Sequence, residues 1–213
     1  MEARTVEAVV HGRYLYEQRA PERLLVGFHG YGENAEKHIL ELQKIPGTAR
    51  WSLAAIQALH PFYTGRSGGR DIVASWMTGL DRDMAIADNI EYVRSVLASI
   101  WRGSSGDATL VFAGFSQGVA MAWRAAAFAA PANGIIALAG DVPPDVISSR
   151  VTLPPVLIGR GESDEWYGAE KLEADLRFLR GATRVTTSLF QGGHEWTDPF
   201  RIAAGDFLNE IGG

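Results

Sequence analysis

Cysteine is missing from all 213 residues. Its absence excludes disulfides, thiolate metal sites and a cysteine nucleophile together, and it is compatible with a reducing compartment. No uncharged apolar run is long enough to cross a bilayer, and the first thirteen residues lack the apolar centre of a signal peptide. Positive charge is in short supply. Twenty Lys and Arg stand against 25 Asp and Glu, so the formal net charge is −5, and no basic field exists to draw in nucleic acid. Repeats, low-complexity tracts and linkers are absent too. These absences lead us to expect one domain over 1–213, cytoplasmic, with no membrane insertion and no nucleic-acid partner.

What remains is an ordinary globular composition, 46% hydrophobic and 21% charged. Strand-like and helix-like segments alternate, the mark of a mostly parallel sheet with helices on both faces. Strands are expected at 5–10 and 13–18, joined by a hairpin at His11-Gly12, and at 24–29, 52–59, 109–115, 134–139, 155–160 and 185–190. Helices are expected near 34–45, 83–101, 117–129, 167–180 and 198–211. Asn34 and Thr197 are suited to be N-caps. Residues 60–82 read as one long loop, and loops of that length are usually functional. The sum is an eight-stranded sheet.

Two serines satisfy G-x-S-x-G, so the pattern alone decides nothing. Ser67, in Gly65-Arg66-Ser67-Gly68-Gly69, sits in a polar loop with neither a strand before it nor a helix after it. Ser116, in Gly114-Phe115-Ser116-Gln117-Gly118, follows an apolar strand and precedes an alanine-rich helix. That strand–turn–helix setting is what a nucleophile elbow requires. The competing reading of Ser116 is a plain helix N-cap.

A hydroxyl needs a base to take its proton and an acid to orient that base. His194 is the only histidine after Ser116, in a glycine-containing loop between the last strand and the last helix. Asp164, after the 155–160 strand, fits the acid in the chain order Ser, acid, His. Glu162 and Glu165 lie close enough to be confused with it, and Asp141 is a further option. Asp198 comes after the histidine, in the wrong order. An oxyanion needs preorganised donors. The backbone N–H of Gln117 and that of Tyr31, in the glycine-rich His29-Gly30-Tyr31-Gly32 loop, are the candidates.

Taken together, H-G-Y-G after a strand, G-F-S-Q-G at an elbow, Gly161-x-x-Asp164, Gly192-Gly193-His194 and Ser75-Trp76-Met77 resemble the phospholipase/carboxylesterase family, which includes the acyl-protein thioesterases. The resemblance runs over nearly the whole chain. It implies an α/β-hydrolase fold without a large lid domain and a cofactor-free serine hydrolase of carboxylic esters or thioesters. It supports Ser116, Asp164 and His194 as the triad and Tyr31 and Gln117 as oxyanion donors.

Two departures bear on substrate: Arg160-Gly161 stands where the family often has His-Gly, and Glu165-Trp166-Tyr167 where it often has Val-Pro. Expected pocket walls are Phe62, Tyr63, Trp76, Met77, Trp166, Tyr167 and Trp196, which as a group suggest an apolar acyl or aryl ester of small or medium size. The expected partner is that small molecule, with a homodimer as the assembly considered and no metal. The alternatives are a lysophospholipase or thioesterase for longer chains and a catalytically silent binding protein. A dienelactone hydrolase is disfavoured by the missing cysteine.

Overall fold

Strand residues of alternating direction form two separate apolar layers. The computed structural model describes residues 1–65, 71–101 and 108–212. Its main sheet has seven strands in the order β1-β3-β2-β6-β7-β8-β9. These are β1 (Tyr14–Glu17), β2 (Arg23–Phe28), β3 (Ser52–Ile56), β6 (Thr109–Phe115), β7 (Gly134–Leu138), β8 (Val156–Gly161) and β9 (Val185–Phe190). All neighbours pair in parallel except β1, which runs antiparallel to β3. This is the α/β-hydrolase fold, with no large lid domain among the described residues.

Leu24, Val26 and Phe28 of β2 and Leu110 and Phe112 of β6 face one layer, with α2 (Arg82–Ile100), α3 (Gln117–Arg124) and α5 (Ala169–Leu179). Leu25, Val111 and Ala113 face the other, with α1 (Ala35–Gln43) and α6 (Asp198–Ile211). Coverage on both faces explains why the central strands are apolar throughout rather than alternating.

The chain passes from β2 to β3 on one side, then returns to lay β6 on the other side of β2. The carboxyl ends of β2 and β6 therefore lie together at a topological switch point, where open α/β sheets bind ligands.

Three expectations are corrected. Residues 5–10 form no strand, so the sheet has seven strands and not eight. Gly12 lies so close to the Tyr92 ring that a β-carbon would fall 2.0 Å from it, and the Tyr92 hydroxyl donates to the Arg13 carbonyl at 2.5 Å. The chain ahead of β1 is thereby held against α2 and does not fold back as a hairpin. Second, the expected 60–82 loop contains an antiparallel pair, β4 (His60–Tyr63) with β5 (Ile72–Ser75). Third, the helix expected at 117–129 is α-helical only to Arg124 and continues as a π-turn over Ala125–Ala129. A short helix α4 (Pro144–Ser149), not among the expected elements, precedes β8. Ser67 lies outside the described residues.

Candidate active site

Ser116 occupies the sharp turn between β6 and α3 with φ 53° and ψ −121°, a strained conformation for a residue with a side chain. Flanking glycines make the turn feasible. A β-carbon on Gly114 would fall 2.5 Å from the Gly118 carbonyl oxygen, and one on Gly118 would fall 2.0 Å from that of Phe28. The Ser116 side chain makes no capping hydrogen bond. Its Oγ lies instead 2.7 Å from His194 Nε2.

Beyond the imidazole, His194 Nδ1 is 3.0 Å from both carboxylate oxygens of Asp164. Asp164 is buried, and its Oδ1 also accepts the backbone N–H groups of Trp166 and Tyr167 at 2.9 Å each. An ionised carboxylate beside Nδ1 keeps the proton there and leaves Nε2 free to accept from Ser116. The two supporting loops are joined as well. Ser163 N donates to Gly192 O at 2.9 Å, and only glycine fits at 161, where a β-carbon would stand 2.2 Å from Gly193 O. The Phe115 and Trp166 rings flank the imidazole at centroid distances of 5.1 and 6.4 Å.

The glycine-rich loop after β2 is fastened from both sides of Tyr31. Gly30 N donates to Glu33 Oε2 at 2.9 Å and Gly32 N to Ala74 O at 3.1 Å. Among the described residues no acceptor takes the N–H of Tyr31 or of Gln117. His29, buried beneath, accepts Ala58 N–H at Nε2 (3.1 Å), so its Nδ1 proton donates to Gly30 O (2.8 Å). Burial lowers its pKa and keeps this tautomer neutral.

Sequence reasoning missed three contributors. Burial pushes the Glu33 carboxyl above its usual range, against the Gly30 N–H that pulls it down. The Gln117 side chain accepts Trp76 N–H (2.9 Å) and donates to Met77 O (2.9 Å), tying the 75–77 segment to the start of α3. Asn89 donates to Trp76 O (2.8 Å), fastening α2 to the same segment. The Gln117 and Asn89 contacts carry no sequence signal, because they join residues distant along the chain; the Glu33 contact is local to its loop but follows no motif.

A cavity of about 500 Å³ opens in front of Ser116 and His194, with Met77, Trp166 and Tyr167 in its walls. Four other expected wall residues do not line it. Trp76 is fully buried, donating from Nε1 to His29 O (2.9 Å) and packing edge-on against Phe28. Phe62 stacks on the exposed Tyr31 ring, and Tyr63 next to it in β4 is exposed. Trp196 packs on Phe115 and Phe200 and lines a separate depression behind His194. Of the alternative acids, Asp141 lines the cavity without reaching His194 Nδ1, and Glu162 accepts from Gln191 Nε2 at 2.6 Å. Among the described residues no group of three or more His, Asp or Glu side chains could hold a metal, and no helix is long and apolar enough to span a membrane.

No family model and no curated protein sequence matches the chain. Solved structures do. Esterase PE8 is 26% identical, with a TM-score of 0.70 over 94% of this chain and 98% of that one. Acyl-protein thioesterase 2 of Zea mays is 15% identical, with a TM-score of 0.69 over 95% of this chain and all of that one. A carboxylesterase of Bacillus cereus is 15% identical, with a TM-score of 0.69 over 94% of each chain. At 15% identity the likeness of these last two is one of fold. All three are proteins of the kind that the sequence resembles.

Proposed function

We propose that this protein is a serine hydrolase that cleaves carboxylic esters or thioesters of small or medium acyl groups through an acyl-enzyme. The observation that carries the reading is the unbroken relay from Ser116 Oγ through His194 to Asp164, at 2.7 and 3.0 Å. The likeness to esterase PE8 supports an ester-cleaving reaction, and a cavity of about 500 Å³ suits a modest acyl group.

In the first half-reaction His194 Nε2 accepts the Ser116 proton as Oγ attacks the carbonyl carbon. The negative oxygen of the tetrahedral intermediate is met by the N–H groups of Gln117 and Tyr31, aided by the N-terminus of α3. Collapse breaks the bond to the leaving alcohol or thiol, which takes the proton from His194. In the second half water gives a proton to Nε2 as it attacks the acyl carbon, and Nε2 returns that proton to Oγ as the bond to Ser116 breaks, releasing the acid and restoring the hydroxyl. Asp164 remains ionised throughout and holds the imidazole in its productive tautomer.

Ser116→Ala and His194→Ala are each expected to lower kcat/KM for 4-nitrophenyl butyrate by roughly 10⁴-fold or more. Retained hydrolysis in Ser116→Ala would overturn the assignment.

A further inference from the structure

The charge of the cavity opposes that of the protein. The chain carries a formal net charge of −5, yet the residues facing the space before Ser116 include Arg82, Lys171 and an Arg124 already paired with Asp145, against a single carboxylate in the lining, Asp141. Two of the three cations have unusual positions. Arg82 opens α2, and Lys171 lies in the first turn of α5. A helix N-terminus carries partial positive charge and favours acidic side chains, so a base there works against the local field. Each of these turns also has the expected acid, Asp83 and Glu170, but neither acid lines the cavity, whereas both bases do. Local rules broken in this way are expected where function requires them.

Nearby carboxylates compensate these cations only in part. Asp145 lies within electrostatic reach of Arg82, but both its oxygens are taken by the buried Arg124, Nε to Oδ2 and Nη2 to Oδ1 at 2.8 Å. Asp175 acts on Lys171 only at a distance: its oxygens are turned to the Tyr167 hydroxyl (2.8 Å) and Val142 N–H (3.3 Å), neutral donors that keep its charge but hold it out of an ion pair. Among the described residues neither Arg82 nor Lys171 enters an ion pair, and both are exposed. The N-terminus of α3 adds its own positive end at Gln117.

We infer that the cavity selects esters or thioesters that carry a second, anionic group such as a carboxylate, which meets Arg82 and Lys171 while Ser116 attacks the acyl carbon. This rests on the serine hydrolase reading and adds a substrate class to it. It also revises the expectation of an apolar acyl or aryl substrate, since most of the aromatic residues expected in the walls do not line the cavity.

The test compares mono-4-nitrophenyl adipate with 4-nitrophenyl hexanoate, which share chain length and leaving group and differ in the terminal carboxylate. The ratio of kcat/KM, charged over neutral, should favour adipate by roughly tenfold or more at low salt and shrink as salt screens the exposed charges. In the Arg82→Gln/Lys171→Gln double variant the ratio should fall by about the same factor. In Asp141→Asn it should rise. A wild-type ratio below one, or a ratio unchanged in the double variant, would overturn the inference. Inactivity towards both esters would instead overturn the hydrolase reading, and this inference with it.

Discussion

Alanine at position 118 would place a methyl carbon 2.0 Å from the Phe28 carbonyl oxygen and 2.6 Å from that of His29. Non-bonded carbon and carbonyl oxygen rarely approach within about 3.3 Å, so α3 and the end of β2 must separate by roughly 1 Å. Neither side can yield by rotating a side chain, because both are backbone. Overpacking of this kind costs about 1–3 kcal/mol, and a clash against backbone belongs at the upper end. At roughly 2–4 °C per kcal/mol for a chain of this size, the unfolding midpoint should fall by several degrees. The same movement carries Ser116 and the Gln117 N–H away from the His29–Tyr31 loop, and a 1 Å misplacement of reacting groups costs on the order of 10²-fold in rate. The assay is thermal unfolding by circular dichroism together with kcat/KM for 4-nitrophenyl butyrate well below the variant's midpoint. Gly168→Ala is the control. Gly168 has φ −69° and nothing within 4 Å of a β-carbon, so that variant should keep wild-type kcat/KM and lose at most the ~1 kcal/mol by which Ala is poorer than Gly at the start of α5. A Gly118→Ala enzyme with an unchanged midpoint and kcat/KM within threefold of wild type would refute the close approach on which the elbow depends.

Two further predictions concern charge. In Asp164→Asn the two backbone N–H groups that bind Oδ1 would hold the amide oxygen, turning the NH₂ towards His194 Nδ1. The proton would then sit on Nε2, facing Ser116, and kcat should drop by roughly 10³- to 10⁴-fold with the fold intact; a loss under tenfold would contradict the tautomer argument. His38 is buried, and its ring nitrogens make no hydrogen bond, although the Ala113 backbone lies nearby. Burial pushes its pKa down from 6.5 to about 3. Between those values the unfolded chain binds a proton that the folded chain refuses, so the stability present above pH 6.5 is lost as pH falls towards 3. The loss reaches up to about 5 kcal/mol. Urea unfolding from pH 7 to 4 should show a steeper decline in the wild type than in His38→Phe, and parallel declines would sink this account.

The second half of the fold could be read from sequence because β6 to β8 are compact apolar runs separated by helical periodicity, with β9 a β-branched segment before the last helix. The first half was less legible. The alternation over 5–10 resembles a strand, but Tyr92 and Gly12 divert the chain, a tertiary effect without local signal. Strands β4 and β5 have four residues each and were hidden in a segment that reads as loop. Ser116 was legible because an elbow needs a strand before it, a helix after it and glycines where backbones touch. The acid was harder. Glu162, Asp164 and Glu165 share one loop, and what separates them is the pair of backbone donors and the buried direction of a single side chain. Aromatic residues near the motifs were poor guides to the cavity. Trp76 serves the core through its contacts with Phe28 and His29, whereas Arg82 and Lys171 reach the cavity from helix starts that sequence alone does not bring together.

The most direct test of the central claim is covalent labelling with a fluorophosphonate probe, followed by mass-spectrometric mapping of the modified peptide. Reaction at phosphorus requires an activated serine beside donors for the developing oxyanion. The account predicts one label per chain, on Ser116, with labelling suppressed in His194→Ala. A label on Ser67 or another serine, or none on a folded protein, would contradict it.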